Sequence, residues 1–131
     1  MSVLEKYIVE LEKDTTLDEF TMKDVQMKLP AVKHKWTGRL IRTKLEVKQS
    51  YGKRKRLINE LSEQLIEKSP VALSIPAAKK KVELHESVVE LDIHIEEMKL
   101  VQEFLEKAER ILSSMTFDIK NLTDIIKLET Q

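Results

Sequence analysis

An all-α fold is predicted by this sequence, and three observations carry that prediction. Charged residues make up 35% of the 131-residue chain and aromatics only 5%, with just two Gly and three Pro, a surface-rich composition that argues against a sandwich or barrel. Apolar residues recur at helical spacing and never alternate over any length. The C-terminal part carries a heptad line from Leu84 to Ile126 without interruption. A chain of this length fits one small domain or two small helical units and buries a modest core, which makes oligomerisation a reasonable expectation.

The opening Ser2-Val-Leu-Glu5 has the form of a capping box, followed by Leu4, Ile8 and Leu11 at helical spacing, so a helix is predicted over about 2–13. A turn over 14–21 follows, and Thr21 with Asp24 offers a cap for a segment ending at Leu29. Pro30 disfavours helical geometry at Leu29 and so predicts a new start or a kink. A long helix to about Lys68 comes next, with Val32, Trp36, Leu40, Val47, Tyr51, Ile58, Leu61 and Leu65 as its apolar line. Gly38 and Gly52 fall inside it, each costing about 1 kcal/mol relative to Ala. They mark bends or a close backbone approach, or are tolerated surface glycines.

Residues 69–78, with two prolines and no charge, read as a linker, giving an N-terminal unit over 1–68, a linker over 69–81 and a C-terminal unit over 82–131. In that last unit Leu84, Leu91, Met98, Leu105, Leu112, Ile119 and Ile126 fall seven apart, as in a coiled-coil seam. Their companions shift from Val88 and Ile95 to Val101, Ala108, Met115 and Leu122, so the packing face rotates along the helix. A break is predicted near 113–116, with Thr116 capping a last helix over 117–129. A second apolar edge, including Leu100 and Phe104, widens the stripe beyond a two-stranded seam. Two partners fit that width: the N-terminal helices of the same chain, or further copies of it. Self-association is favoured, with Leu84, Leu91, Met98, Leu105, Leu112, Ile119, Leu122 and Ile126 as the oligomerisation residues.

Lys and Arg number 23 and Asp and Glu 23, so the formal net charge is zero, yet it is unevenly placed: residues 1–29 carry −3, 30–56 carry +9 and 57–131 carry −6. The middle block holds ten basic residues against a single acid, Glu46. Such asymmetry points to a polyanionic partner. Over a helix from Lys33 to Arg56, about 35 Å long, cations repeat often enough to follow a phosphate backbone and release its counterions. Lys35, Arg39, Arg42, Lys53 and Arg56 share an arc of about 100° opposite the apolar line. The cluster Lys53, Arg54, Lys55, Arg56 is the densest part. Trp36 and Tyr51 are interleaved with the charges and could stack on bases, although Trp36 also lies on the apolar line and could pack in the core. An acidic protein is the alternative partner, in which case the chain is a helical adaptor. Membrane binding is not expected, since the apolar stripe lacks bulky inserting aromatics.

No phosphate-binding loop, Gly-rich fingerprint or nucleophile constellation is present, so no enzyme activity and no cofactor is expected. His85 and His94 point to opposite sides of a helix and cannot share a metal. Glu90 and His94 stand one turn apart, and ordinary surface or packing roles are expected of them, so no metal is predicted. The lack of Cys is compatible with a reducing interior. Glu5 and Lys6 interrupt any signal-peptide core, and no apolar run approaches a membrane span. A soluble, cytoplasmic protein is expected.

The sequence resembles the UvsY family, the recombination mediators of T-even phages. The resemblance lies in KHKW (33–36) leading into the basic helix, in GKRKRL (52–57), in ALS (72–74) after the linker begins, and in the ending FDIKNLTDIIKLETQ (117–131). The family carries a motif of the form LKARLDY whose Lys and Arg contact single-stranded DNA. Matching RKRL (54–57) to its KARL implies that Arg54 and Arg56 inherit that contact, although the leading Leu and trailing Asp-Tyr are missing here. The resemblance further implies a homo-oligomeric ring that binds single-stranded DNA and loads a UvsX-like recombinase onto strands covered by single-strand-binding protein. For a phage-encoded chain, the location implied is the host cytoplasm.

Overall fold

The computed structural model describes all 131 residues and contains four α-helices and no strand. Helix α1 (Val3–Thr15) begins as its sequence dictates, with Ser2 as N-cap, its Oγ accepting from the Glu5 N–H at 3.2 Å. The helix runs two residues beyond its expected end, because the Thr15 and Thr16 hydroxyls donate back to the carbonyls of Leu11 and Glu12, each at 2.8 Å. Within the following turn, Asp18 accepts from the N–H groups of Phe20 and Thr21 at 2.8 and 2.9 Å. Those contacts hold its carboxyl below the usual range, the Thr21 amide contributing most. The side-chain cap expected from Thr21 is therefore replaced: Thr21 donates to Asp18, and its carbonyl accepts from the Val25 N–H.

Helix α2 (Met22–Lys68) runs through Pro30, so of the two alternatives predicted there, a new start or a kink, the new start does not occur. Proline removes one backbone bond, but Leu29 and Trp36, seven residues apart, both bury on the inner face, and that packing outweighs the local loss. Ser69 then turns the chain, its Oγ accepting from the Val71 N–H and donating to the Val71 carbonyl. Half of the expected linker is instead helix α3 (Ile75–Val82), started by Ser74 as N-cap, with Pro76 in its first turn, where a missing N–H is harmless. Ala78 and Val82 are its buried residues.

Helix α4 (Glu86–Glu129) starts at a cap that the sequence did not announce: Nδ1 of His85 accepts from the Ser87 N–H at 3.1 Å. The break predicted near 113–116 does not occur. Leu112, Met115 and Ile119 keep helical spacing and are all buried, while Ser114 returns its hydroxyl to the Ile111 carbonyl at 2.8 Å.

Two compact units result, and both draw on α2 and α4. One comprises Met1–Arg42 with Leu100–Gln131, the other Thr43–Lys99. They cut across the division at 1–68, 69–81 and 82–131, because each half of α4 packs within a unit that also contains part of α2. In the first unit Trp36, Leu105 and Leu112 are the largest fully buried side chains; in the second, Ile58, Val82 and Val88 form a cluster flanked by Leu57, Leu61 and Leu65. No helix is long and apolar enough to cross a membrane.

Candidate nucleic-acid interface

The basic block lies on α2, and the structure sorts its cations into paired and unpaired sets. In the first unit, α1 supplies the acids. Lys35 Nζ stands 2.7 Å from Asp14 and 3.6 Å from Glu10, and Arg39 forks onto both oxygens of Glu10. The Arg39 hydrogen bond holds the Glu10 carboxyl below the usual range, and Glu10 in turn raises Arg39. Trp36 is 0% exposed. Its indole Nε1 donates to Asp14 at 2.8 Å, Tyr7 and Phe104 meet it edge-on at 5.6 and 6.3 Å, and the Arg39 guanidinium covers it at 4.7 Å. The alternative left open by the sequence is thus decided for packing: Trp36 is a core residue. Lys35 and Arg39, expected on a cationic outer face, are neutralised by acids that helical periodicity cannot see.

Arg42, also in this unit, is exposed and makes no ion pair. In the second unit Arg54 turns inward to Asp92, with contacts of 2.5 and 3.4 Å that raise its pKa. Glu46, the one acid of the block, stands 3.2 Å from His94 Nε2, and no group of three or more His, Cys, Asp or Glu is placed to hold a metal. Tyr51 is 44% exposed, with the Lys99 ammonium 5.3 Å from its ring centre, so its face is partly taken by a cation of its own chain.

The part of the basic block that remains open to solvent in this unit is Lys44, Lys48, Lys53, Lys55 and Arg56, all exposed and none ion-paired. On an ideal helix Lys44, Lys48 and Lys55 lie within about 40° of one another, and Lys53 and Arg56 lie within about 60° on the other flank. A cationic face of this kind attracts polyanions without reading sequence. Lys44 and Lys48 were not among the sequence candidates, since attention to the arc opposite the apolar line passed them over. A signal was available: neither has an acid three or four residues away, so neither could be quenched along its own helix.

The proposed oligomerisation residues divide as sharply. Leu105, Leu112 and Ile119 are buried inside the first unit, so they pack the chain's own core and do not present a surface. Leu91, Met98, Leu122 and Ile126 are half-buried, and Leu84 is 83% exposed. The heptad line therefore reports mainly intrachain packing. The apolar side chains that α4 does leave open are others, among them Val89, Ile93, Leu100, Ile111 and Phe117.

Comparison with known proteins adds an independent finding. The family described as "Recombination, repair and ssDNA binding protein UvsY" matches residues 10–130. Two crystal structures of the bacteriophage T4 recombination mediator protein UvsY share the fold. The lattice type IV form has a TM-score of 0.80 at 18% identity, covering 98% of this chain and 99% of that one. The lattice type II form has a TM-score of 0.77 at 17% identity, covering 100% and 99%. No curated protein sequence matches.

Proposed function

We propose a function for this chain from its membership: it belongs to the UvsY family of recombination, repair and single-stranded-DNA-binding proteins. The chain holds single-stranded DNA without sequence preference on the solvent face of α2, acts as a homo-oligomer, and loads a recombinase onto strands covered by single-strand-binding protein. It is a binding protein and carries out no catalytic step. Its place of action is the cytoplasm of the host cell.

The observation that carries this reading is the set of exposed, unpaired cations Lys44, Lys48, Lys53, Lys55 and Arg56 on one helix, with Glu46 and Asp92 paired to His94 and Arg54 instead. Phosphates neutralised there release condensed counterions, an entropic gain that applies to any sequence. Exposed apolar residues of α4, such as Ile93 and Leu100, support self-association. Copies joined in this way convert later phosphate contacts into intramolecular ones and raise avidity by about 10²–10⁴ without tighter individual contacts. A strand bound across several copies is bent away from its covering protein and presented to the recombinase.

Substituting Lys55 and Arg56 with Ala tests the assignment. The expected result is weaker binding of a labelled single strand with the assembly mass unchanged. Loss of the assembly instead, with binding per subunit retained, would make the cluster a structural element and favour the adaptor reading.

A further inference from the structure

We propose that Gly38 and Gly52 are themselves nucleic-acid contacts, each forming with the arginine one turn later a seat for one phosphodiester group. Gly38 with Arg42 and Gly52 with Arg56 are two copies of the same arrangement, fourteen residues apart in α2. The proposal deepens the single-strand-binding reading above and rests on it.

Glycine inside a helix destabilises it relative to alanine and therefore needs a reason. Backbone conformation does not supply one, since no glycine has positive φ. Intrachain packing does not supply one either. A Cβ at Gly38 would have the Arg42 guanidinium as its nearest neighbour, at 3.4–3.8 Å, and a Cβ at Gly52 would meet only Arg56 Nη1, at 3.6 Å. In both places the arginine reaches back along the helix over bare backbone, as side chains that lean toward the N-terminus do.

The remaining arginines of the block set these two apart. Arg39 and Arg54 are paired with Glu10 and Asp92, whereas Arg42 and Arg56 are exposed and unpaired. A guanidinium fork matches two phosphate oxygens. Beside a glycine, no Cβ stands between the incoming phosphate or its sugar and the helix surface, so the phosphate can reach the fork at close approach.

The experiment uses the full chain with Gly38→Ala and Gly52→Ala, singly and together, and a fluorescein-labelled oligodeoxythymidine as probe. Thermal midpoints are expected to rise, because alanine fits both sites and favours the helix. Affinity is expected to fall by about threefold to tenfold per site. In an Arg56→Ala background, Gly52→Ala is expected to add almost nothing, since the two residues act on one contact. Raised midpoints with unchanged affinity would overturn the proposal and leave two tolerated surface glycines. A full additive loss in the Arg56→Ala background would overturn it as well. If the unsubstituted chain fails to bind the strand, the function proposed above falls first, and the seats with it.

Discussion

Replacing Trp36 with Phe separates the two roles that an aromatic residue in a basic helix can play. The indole is 0% exposed, and its N–H donates to the Asp14 carboxylate at 2.8 Å. Phenylalanine keeps a ring for Tyr7 and Phe104 to meet but removes that donor. A hydrogen bond to a charged acceptor contributes about 1.5–3 kcal/mol. Asp14 retains Lys35 at 2.7 Å, so no buried charge is orphaned, and a net loss of about 2 kcal/mol is expected, with some additional loss from the smaller ring. Urea unfolding followed by circular dichroism measures it, the midpoint moving down at constant slope. Single-strand affinity, measured where both proteins are folded, is expected to stay within about twofold. A tenfold loss of affinity with unchanged stability would refute the reasoning, because Trp36 would then be acting as a stacking platform.

Four further outcomes follow from the fold and its contacts. Substituting Lys44 and Lys48 with Ala removes two phosphate contacts at about 0.7 each in the salt slope for single strands. Between about 50 and 200 mM salt the variant's affinity should therefore fall about sevenfold less than the parent's; an unchanged slope would mean that these lysines face no phosphate. The depressed pKa of Glu10 implies stability that is fully present above the unfolded carboxyl value and lost as pH falls through the lower folded one. Glu10→Gln should accordingly flatten the acid limb of stability against pH, by at most about 1 kcal/mol because Glu10 is partly exposed to solvent, and a limb as steep as the parent's would contradict the Arg39 pairing. Leu105→Ala, at a fully buried site, should lose about 2–5 kcal/mol. Leu100→Asp, at an exposed one, should instead leave unfolding near the parent's and lower the assembly mass seen by light scattering; a retained mass would place the interface elsewhere.

Much of the fold was legible because its signals are local. Ser2 caps α1 from three residues away, and the heptad line from Leu84 marks one face of α4. Misreadings arose where a local rule was outvoted by burial. Pro30 breaks a helix only if nothing holds the two sides together, and Leu29 and Trp36 do. The serines at 113 and 114 sit on the exposed side of a turn whose inner residues are well packed, so they do not end the helix. Ser74 and Pro76 form a helix start in sequence as well, and the absence of charge around them concealed it.

The site was less legible, for a different reason. Periodicity can show that cations share a helix, but which of them meets an acid is settled by contacts across the fold. Arg39 and Glu10 are 29 residues apart, Arg54 and Asp92 38. Nothing in the spacing of the basic block marks Arg54 as inward and Arg56 as outward until the position of Asp92 is known. For the same reason the heptad residues Leu105 and Leu112 could not be assigned to a partner copy or to the chain's own core from sequence alone. Burial assigns them to the core and moves the candidate contact surface to other residues of α4.

Titrating a fluorescent single strand and its duplex with the unsubstituted chain, at about 50 and 200 mM salt, tests the central claim most directly. The account predicts tighter binding of the single strand, weakening steeply as salt rises. No binding of the single strand at the lower salt, or binding that ignores salt, would contradict it.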